Sequence, residues 1–131
     1  MTARLLVVDA SAMVEILRRT DLGDRVAAAT RGAAVAAPAH LDAEVLSAVG
    51  RLARAGTVTQ AAVERALVRM RRLPVRRYPL APLLQRAWSL RENIALRDGL
   101  YVACAEALGA ALLTLDGRLS NASPAPVQHL Q

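Results

Sequence analysis

Four acidic side chains occupy positions where a carboxylate could carry out chemistry. Asp9 and Asp116 each directly follow a short apolar run that reads as a buried strand. Glu44 lies at the edge of a helical apolar stripe, and Asp98 lies in the first turn of a later helix, on its inward side. If these acids converge, they repel one another, and some stay protonated unless a cation compensates their charge.

Each of these acids also has a purely structural explanation. Asp9 could be only a turn or capping residue, because Asp is common in both roles. Glu44 could extend its head back to solvent, and the helix dipole alone would favour Asp98 at a helix start. The chain has only 11 acids, so we attribute their placement to one shared site rather than to separate structural roles.

The donor atoms of such a site are all carboxylate oxygens, which suit a hard divalent ion. We therefore expect Mg²⁺ or Mn²⁺ rather than zinc. Cys104 is the single cysteine and is expected to be a small buried side chain, while His40 and His129 have no ligand-like spacing and are expected to be structural or surface residues. A metal held by carboxylates activates water and stabilises an in-line attack on phosphorus. This is the chemistry of a nuclease.

The elements that position these acids are predicted to form a parallel sheet with helices on both faces. A continuous apolar run at 5–8 predicts a strand buried on both faces, followed by a helix that Ser11 is placed to cap. Ligands of such sheets bind at the carboxyl ends of the strands where the strand order reverses, so Asp9 and Asp116 can meet there. Further strands are expected at 33–37, 75–78 and 111–115 and at an edge strand near Val127, and helices at 22–30, 39–55, 59–73, 80–92 and 98–108.

Length and composition limit the class of protein. A chain of 131 residues with 54% hydrophobic content predicts a single domain over 1–131. Charges interrupt every apolar stretch before about 18 residues and no signal peptide is recognisable, so we expect a cytoplasmic protein without a membrane span. The basic residues are all Arg; without Lys, Schiff-base enzymes and the usual phosphate-binding loop are excluded.

The formal charge of +6 is concentrated in the middle of the chain, where Glu64 is the one acid. Two interpretations stay open: a basic surface that holds the phosphates of a polyanion, or a solvated Arg-rich helix face that reflects compositional bias. The arginines in this section are Arg51, Arg54, Arg65, Arg69, Arg71, Arg72, Arg76 and Arg77.

Four motifs in order resemble those of PIN-domain ribonucleases, and most closely those of the VapC toxins of bacterial toxin–antitoxin pairs. They are VVDASA at 7–12, PAHLDAE ending at Glu44, RDGLYVACAE at 97–106 and LLTLDGRL at 112–119. Each motif is short, but together they cover nearly the whole chain.

The resemblance implies a three-layer α/β/α fold with a central parallel sheet of four or five short strands. It implies Mg²⁺- or Mn²⁺-dependent endonucleolytic cleavage of RNA, a homodimer, and inhibition by a VapB-type antitoxin. By position, the acidic metal ligands of the family correspond to Asp9, Glu44, Asp98 and Asp116, and its small hydroxyl residue corresponds to Ser11.

The chain departs from the family pattern at a few positions. Gly99 and Cys104 replace more usual aliphatic residues without removing a ligand, and Asn121 stands where some members carry a further acid, so a second metal would be weakly held. A catalytically silent PIN-like module that binds RNA or a partner is the alternative, although the intact acidic set argues against it. An acid-dependent phosphatase is disfavoured, because those enzymes usually have a second Asp two residues after the first. This chain has Ser11 at that position after Asp9. Transfer, ribosomal and messenger RNA all remain open as substrates.

Overall fold

A five-stranded parallel sheet forms the centre of the structure, a computed structural model that describes residues 4–130. The strands are β1 (Arg4–Val8), β2 (Ala33–Pro38), β3 (Val75–Tyr78), β4 (Ala111–Thr114) and β5 (Val127–His129), arranged in the order β3-β2-β1-β4-β5. The chain adds β2 and β3 on one side of β1 and then returns to add β4 and β5 on the other. The strand order therefore reverses between β1 and β4, as the sequence predicted.

Helices cover the sheet in a three-layer α/β/α arrangement. They are α1 (Ala10–Arg18), α2 (Asp21–Ala29), α3 (Leu41–Arg54), α4 (Gln60–Arg72), α5 (Leu84–Ser89), α6 (Leu96–Leu108) and α7 (Gly117–Ala122). Helix α1 packs against α2, α3 and α4, whereas α6 packs against β1, β2 and β4 and against α5. The predicted fold class is confirmed.

The core is built around β1 and α6, which have few polar residues. Leu6, Val7 and Val8 are each 1% exposed or less, as expected for a strand covered on both faces. Helix α6 is buried over consecutive residues, and a helix that is apolar on all sides belongs in the interior. Cys104 lies in this helix and is buried, which confirms the expected small buried side chain, and burial raises the pKa of its thiol to about 11. Helix α6 has 13 residues, and no helix within 4–130 is long and apolar enough to cross a membrane.

The structure differs from the predicted elements mainly after β3. The single helix expected at 80–92 is a 3₁₀ turn at Ala81–Leu83 followed by the short α5, because Pro82 lacks an N–H and the Leu83 N–H bonds back to the Leu80 carbonyl at 2.8 Å. Helix α6 begins at Leu96, two residues earlier than predicted. The sequence analysis did not predict α7, whereas the edge strand near Val127 is confirmed as β5.

Candidate active site

A cleft of about 640 Å³ opens beyond the carboxyl ends of β1 and β4. Its walls come from α1 and α3 along most of their length, from the start of α6 and from the turn after β4. The four predicted acids, Asp9, Glu44, Asp98 and Asp116, all line this cleft, and so does Ser11. Residues separated widely in the sequence therefore share one concave surface at the point where the strand order reverses.

Asp9 is the N-cap of α1 and is 5% exposed. Its Oδ1 accepts hydrogen bonds from the Ala12 N–H at 3.0 Å and from the Ser11 hydroxyl at 2.7 Å. The expectation that Ser11 caps this helix is wrong, because Asp9 occupies that role and Ser11 Oγ donates to the capping carboxylate. Asp9 thus caps the helix with one oxygen and also lines the cleft, and its role as a site residue stays a prediction.

Two hydroxyls connect the turn after β1 to the turn after β4. Ser11 Oγ accepts the Leu115 N–H at 3.1 Å, and Thr114 Oγ1 accepts the Asp116 N–H at 3.0 Å while donating to Asp9 Oδ2. Thr114 is completely buried, and the sequence analysis missed it as a site residue. A single hydroxyl inside the apolar strand that leads to Asp116 is the signal that could have identified it.

Asp116 and Asp98 differ from Asp9 in how many partners their carboxylates have. Asp116 caps α7, with Oδ1 accepting the N–H groups of Arg118 at 2.9 Å and Leu119 at 3.3 Å. Asp98 lies in the first turn of α6, where the helix dipole favours an acid as the structural explanation expected, although the N-cap of that helix is Ala95. Within residues 4–130 no hydrogen bond engages Asp116 Oδ2 or the Asp98 carboxylate, which leaves these oxygens open to a ligand.

The acids of the cleft influence one another electrostatically. Burial raises the pKa of Asp9 and the nearby Asp116 charge adds to the increase, against hydrogen bonds from Thr114, Ser11 and Ala12 that lower it. Burial also raises the pKa of Asp98, reinforced by the negative charges of Asp116, Glu44 and Asp9 and opposed by Arg97. The cleft therefore carries negative charge that a bound cation would compensate.

Glu44, in the first turn of α3, is held by its neighbours rather than extended to solvent. Its Oε1 accepts a hydrogen bond from the Tyr101 hydroxyl at 2.7 Å and lies 3.5 Å from His40 Nε2. Its Oε2 lies 3.7 Å from Arg97 Nη1, and the side chain is 16% exposed. The solvent explanation of Glu44 is wrong for this reason. The sequence analysis missed Tyr101 and His40 as its neighbours, although the four-residue spacing of His40 and Glu44 on one helix was a usable signal.

The donor set of the cleft fits a hard divalent ion in chemistry, without forming a closed ligand cage. Within residues 4–130 no three His, Cys, Asp or Glu side chains lie together closely enough to hold a metal ion. All the acidic donors are oxygens, the pKa values of Asp9 and Asp98 are raised, and Asp98 and Asp116 have oxygens without partners in that part of the chain. These are the properties expected of a site that binds Mg²⁺ or Mn²⁺ with part of its water shell retained.

One arginine of the basic middle section reaches the cleft, together with two arginines from outside that section. Arg18, Arg51 and Arg97 line the cleft. By contrast, the Arg69 guanidinium donates to the Leu17 carbonyl oxygen through Nε at 3.0 Å and also through Nη2, and so ties α4 to the end of α1.

Arg77 is likewise engaged within the protein. It forms two hydrogen bonds to the Asp42 carboxylate, at 2.7 and 2.9 Å, and these lower the pKa of that carboxyl. Part of the basic middle section thus has a structural role, because Arg69 and Arg77 both hold neighbouring elements in place.

Comparison with known proteins gives one consistent family. The sequence matches the family model described as the PIN domain over residues 6–123. It is 52% identical to Ribonuclease VapC3 of Mycobacterium tuberculosis, over 91% of this chain and 88% of that protein. It is 44% identical to Ribonuclease VapC12 of the same organism, over 89% of this chain and 91% of that protein.

A solved structure shares the fold. The crystal structure of Mycobacterium tuberculosis VapC20, described as a toxin that cleaves the sarcin–ricin loop, superposes with a TM-score of 0.67 and covers 89% of this chain and 94% of that one. The two sequences are 23% identical, so this likeness concerns the fold alone.

Proposed function

Since this chain belongs to the PIN-domain family and, within it, to the VapC group, we propose that it is a metal-dependent endoribonuclease that acts as the toxin of a toxin–antitoxin pair. The observation that carries the proposal is the cleft at the strand-order reversal, which four acids line and in which the pKa values of Asp9 and Asp98 are raised. Relatives that cover most of the chain are named ribonucleases, which supports RNA as the substrate.

In this proposal the acids of the cleft hold Mg²⁺ or Mn²⁺. Asp98 and Asp116 offer their open oxygens, and Asp9 and Glu44 complete the negative surface around them. A divalent ion bound there supplies a more acidic water and a positive charge beside the scissile phosphate. Hydrolysis then joins the water oxygen to phosphorus, breaks one P–O bond of the backbone and returns a proton to the leaving oxygen.

The side chains around the acids orient them and attract the substrate. Ser11 and Thr114 fix the Asp9 carboxylate through its two oxygens, so that its position does not depend on the ion. Arg51 and Arg97 stand on the rim, where exposed guanidinium groups can attract the phosphates that flank the cleaved bond.

The family supports three further parts of the proposal: a VapB-type antitoxin that inhibits the protein, a homodimer, and action in the cytoplasm.

The surface agrees with protein partners, because three large apolar side chains on α5 and the start of α6 are half or more exposed. They are Leu84 at 55%, Trp88 at 57% and Leu96 at 50%. Exposed apolar side chains grouped in this way commonly mark interaction surfaces.

The decisive experiment is a cleavage assay with purified protein on a panel of labelled transfer, ribosomal and messenger RNA. We expect defined cuts with Mg²⁺ or Mn²⁺ that a chelator abolishes, and a loss of more than about 100-fold in Asp98→Asn, since even residues that only support metal ligands cost 10- to 100-fold. Asp24→Asn changes an exposed acid on α2 and is the matched control.

Two results would refute the proposal. Cleavage that persists in the chelator would exclude the metal mechanism. Binding of RNA without cleavage in any metal, by folded wild-type protein, would instead identify a silent binding module.

A further inference from the structure

Tyr101 combines a place in the core with a hydroxyl that reaches the acidic cleft. The residue is 1% exposed and lies one turn after Asp98 on α6. Its hydroxyl donates to Glu44 Oε1 at 2.7 Å, which links α6 to the start of α3. A buried phenol needs a hydrogen-bond partner, and Glu44 is the partner that this one has. Burial and the Glu44 carboxylate together raise the pKa of Tyr101, so the hydroxyl stays a donor.

His40 contacts the same carboxylate from the other side. Its Nε2 lies 3.0 Å from the Arg97 carbonyl oxygen and 3.5 Å from Glu44 Oε1. Both neighbours are acceptors, so Nε2 must carry the proton. The ring also packs against Tyr101, with centroids 4.7 Å apart and planes inclined by 40°.

The other ring nitrogen of His40 has no function that the structure reveals. Nδ1 is buried and has no hydrogen-bond partner among residues 4–130. A buried polar atom without a partner is unfavourable, so other contacts of the ring must outweigh this cost. These are the contacts of Nε2 and the packing of the ring against Tyr101. The useful atom of this histidine is therefore Nε2, which faces Glu44 and the backbone that leads to Asp98.

Without these contacts Glu44 would not stay at the cleft. Its charge is repelled by the neighbouring carboxylates, and its side chain has several rotamers that lead away from them. Arg97 is the competing partner, with a side chain that is 77% exposed and a longer separation of 3.7 Å. Removal of the Tyr101 hydroxyl would let Glu44 turn toward Arg97 and solvent.

We propose that Tyr101 and His40 are positioning residues that hold the Glu44 carboxylate at the acidic cleft. The consequence for catalysis rests on the proposed function, whereas the consequence for the orientation of Glu44 does not. The Tyr101 ring can fill the core without its hydroxyl, so the hydroxyl serves Glu44 rather than packing. His40 Nε2 hydrogen-bonds to the Arg97 carbonyl oxygen, which fixes the start of α3 against that backbone and keeps Nε2 3.5 Å from Glu44 Oε1.

The first test uses Tyr101→Phe, which removes one oxygen and leaves the ring. The crystal structure of the variant should show Glu44 turned away from position 101 toward Arg97 and solvent, and calorimetric titration should show about 10-fold weaker Mn²⁺ binding. For RNA cleavage, kcat should fall by a similar factor while KM changes less than about two-fold. Tyr78→Phe, on β3, is the matched control and should leave the orientation of Glu44, the Mn²⁺ affinity and kcat unchanged.

A double-mutant cycle separates positioning from general damage. In a Glu44→Gln background the added Tyr101→Phe change should cause no further loss of Mn²⁺ affinity, because both changes act through one carboxylate. A purely structural role would give the same loss in both backgrounds.

The second test separates the two nitrogens of His40. His40→Gln places an amide N–H near the position of Nε2 and should keep most of the Mn²⁺ affinity, whereas His40→Asn places it near Nδ1 and should reproduce the loss seen in Tyr101→Phe. This pair also decides the question if Tyr101→Phe does not fold. Equal behaviour of the two His40 variants would overturn the role of Nε2.

Unchanged Glu44 orientation and Mn²⁺ affinity in Tyr101→Phe would overturn the proposal. If the wild-type protein cleaves no RNA, the proposed function fails, but the crystal structure of Tyr101→Phe still decides whether Tyr101 holds Glu44. If the wild type cleaves RNA and the variant equals it, the positioning proposal fails and the proposed function stands.

Discussion

Asp9 and Asp116 are joined through a single hydroxyl, because Thr114 Oγ1 donates to Asp9 Oδ2 and accepts the backbone N–H of Asp116 at 3.0 Å. The acid that follows β1 is thereby fixed relative to the acid that follows β4. The sheet brings the two strands together, and this hydroxyl fixes the Asp9 carboxylate relative to the backbone of Asp116.

Thr114→Val should destabilise the protein by about 2 kcal/mol, because a buried carboxylate and a backbone N–H each lose a partner while the shape of the side chain is kept. Thr114→Ser retains the hydroxyl and loses one methyl group, which costs about 1 kcal/mol. Denaturant unfolding at pH 7 measures both. A valine variant as stable as the serine variant would show that the hydroxyl does not stabilise the fold.

The pH dependence of stability should reveal Asp98. Its pKa is raised in the folded state above the ordinary value of 3.8, so the folded protein binds this proton more tightly than the unfolded chain does. The Asp98 contribution therefore becomes unfavourable as pH rises from the unfolded value through the folded pKa, and the penalty is complete above it. In chelator, Asp98→Asn should be more stable than wild type at pH 7, and the difference should vanish at pH values below the unfolded pKa.

A divalent ion should stabilise the folded protein by mass action. Mn²⁺ at 100 times its dissociation constant should raise the free energy of unfolding by about 2.7 kcal/mol. Asp9→Asn and Asp116→Asn should each reduce this increment at the same Mn²⁺ concentration, because each removes a carboxylate of the cleft. Thermal unfolding at a series of Mn²⁺ concentrations measures this increment in each protein. Equal increments in the wild type and both variants would place the ion outside the cleft.

RNA affinity should depend on the arginines of the cleft rather than on those tied to other elements. In an Asp98→Asn background that prevents cleavage, Arg51→Ala and Arg97→Ala should each weaken binding of many sequences alike and reduce the salt slope by about one unit. Arg69→Ala should lower stability, through its lost contact with Leu17, but leave the slope unchanged. A slope that falls only in Arg69→Ala would place the RNA phosphates near α4 instead of the cleft.

The close crossing of α1 and α2 should tolerate no side chain at Gly23. A Cβ there would lie 1.8 Å from the Glu15 carbonyl oxygen, which belongs to the backbone and cannot turn away. Gly23→Ala should therefore cost about 3 kcal/mol or prevent folding. Gly50→Ala, on α3, meets no atom closer than 3.7 Å and should stabilise the helix by about 0.5–1 kcal/mol. Circular dichroism and denaturant unfolding compare the two.

The sequence was sufficient to predict the two buried strands that position Asp9 and Asp116. Continuous apolar runs identify strands buried on both faces, and strands of that kind pair in parallel under helices. Carboxylates that follow two such strands must then meet at one edge of the sheet. For this reason Asp9 and Asp116 could be placed together from their local context. The extent of the chain as one domain over 1–131 stays a prediction.

The finer structure of the site depends on contacts that leave no periodic signal in the sequence. The bonds from Tyr101 to Glu44 and from Thr114 to Asp9 join distant segments, and only the folded chain reveals them. The role of the basic middle section could not be decided from the sequence for a related reason. The number of arginines does not tell which guanidinium groups already bind a carbonyl or a carboxylate. Arg69 and Arg77 are of this kind.

The partners in the cleft also determine when it can form during synthesis. Asp9 and the Thr114 hydroxyl that holds it are 105 positions apart, and Glu44 and Tyr101 are 57 apart. Translation proceeds from the N-terminus, and a contact between distant segments waits until both have emerged and the long loop between them has closed. A growing chain on the ribosome therefore displays Asp9 and Glu44 long before β4 reaches its place beside β1. The proposed activity can therefore begin only after β4 has emerged and has paired with β1.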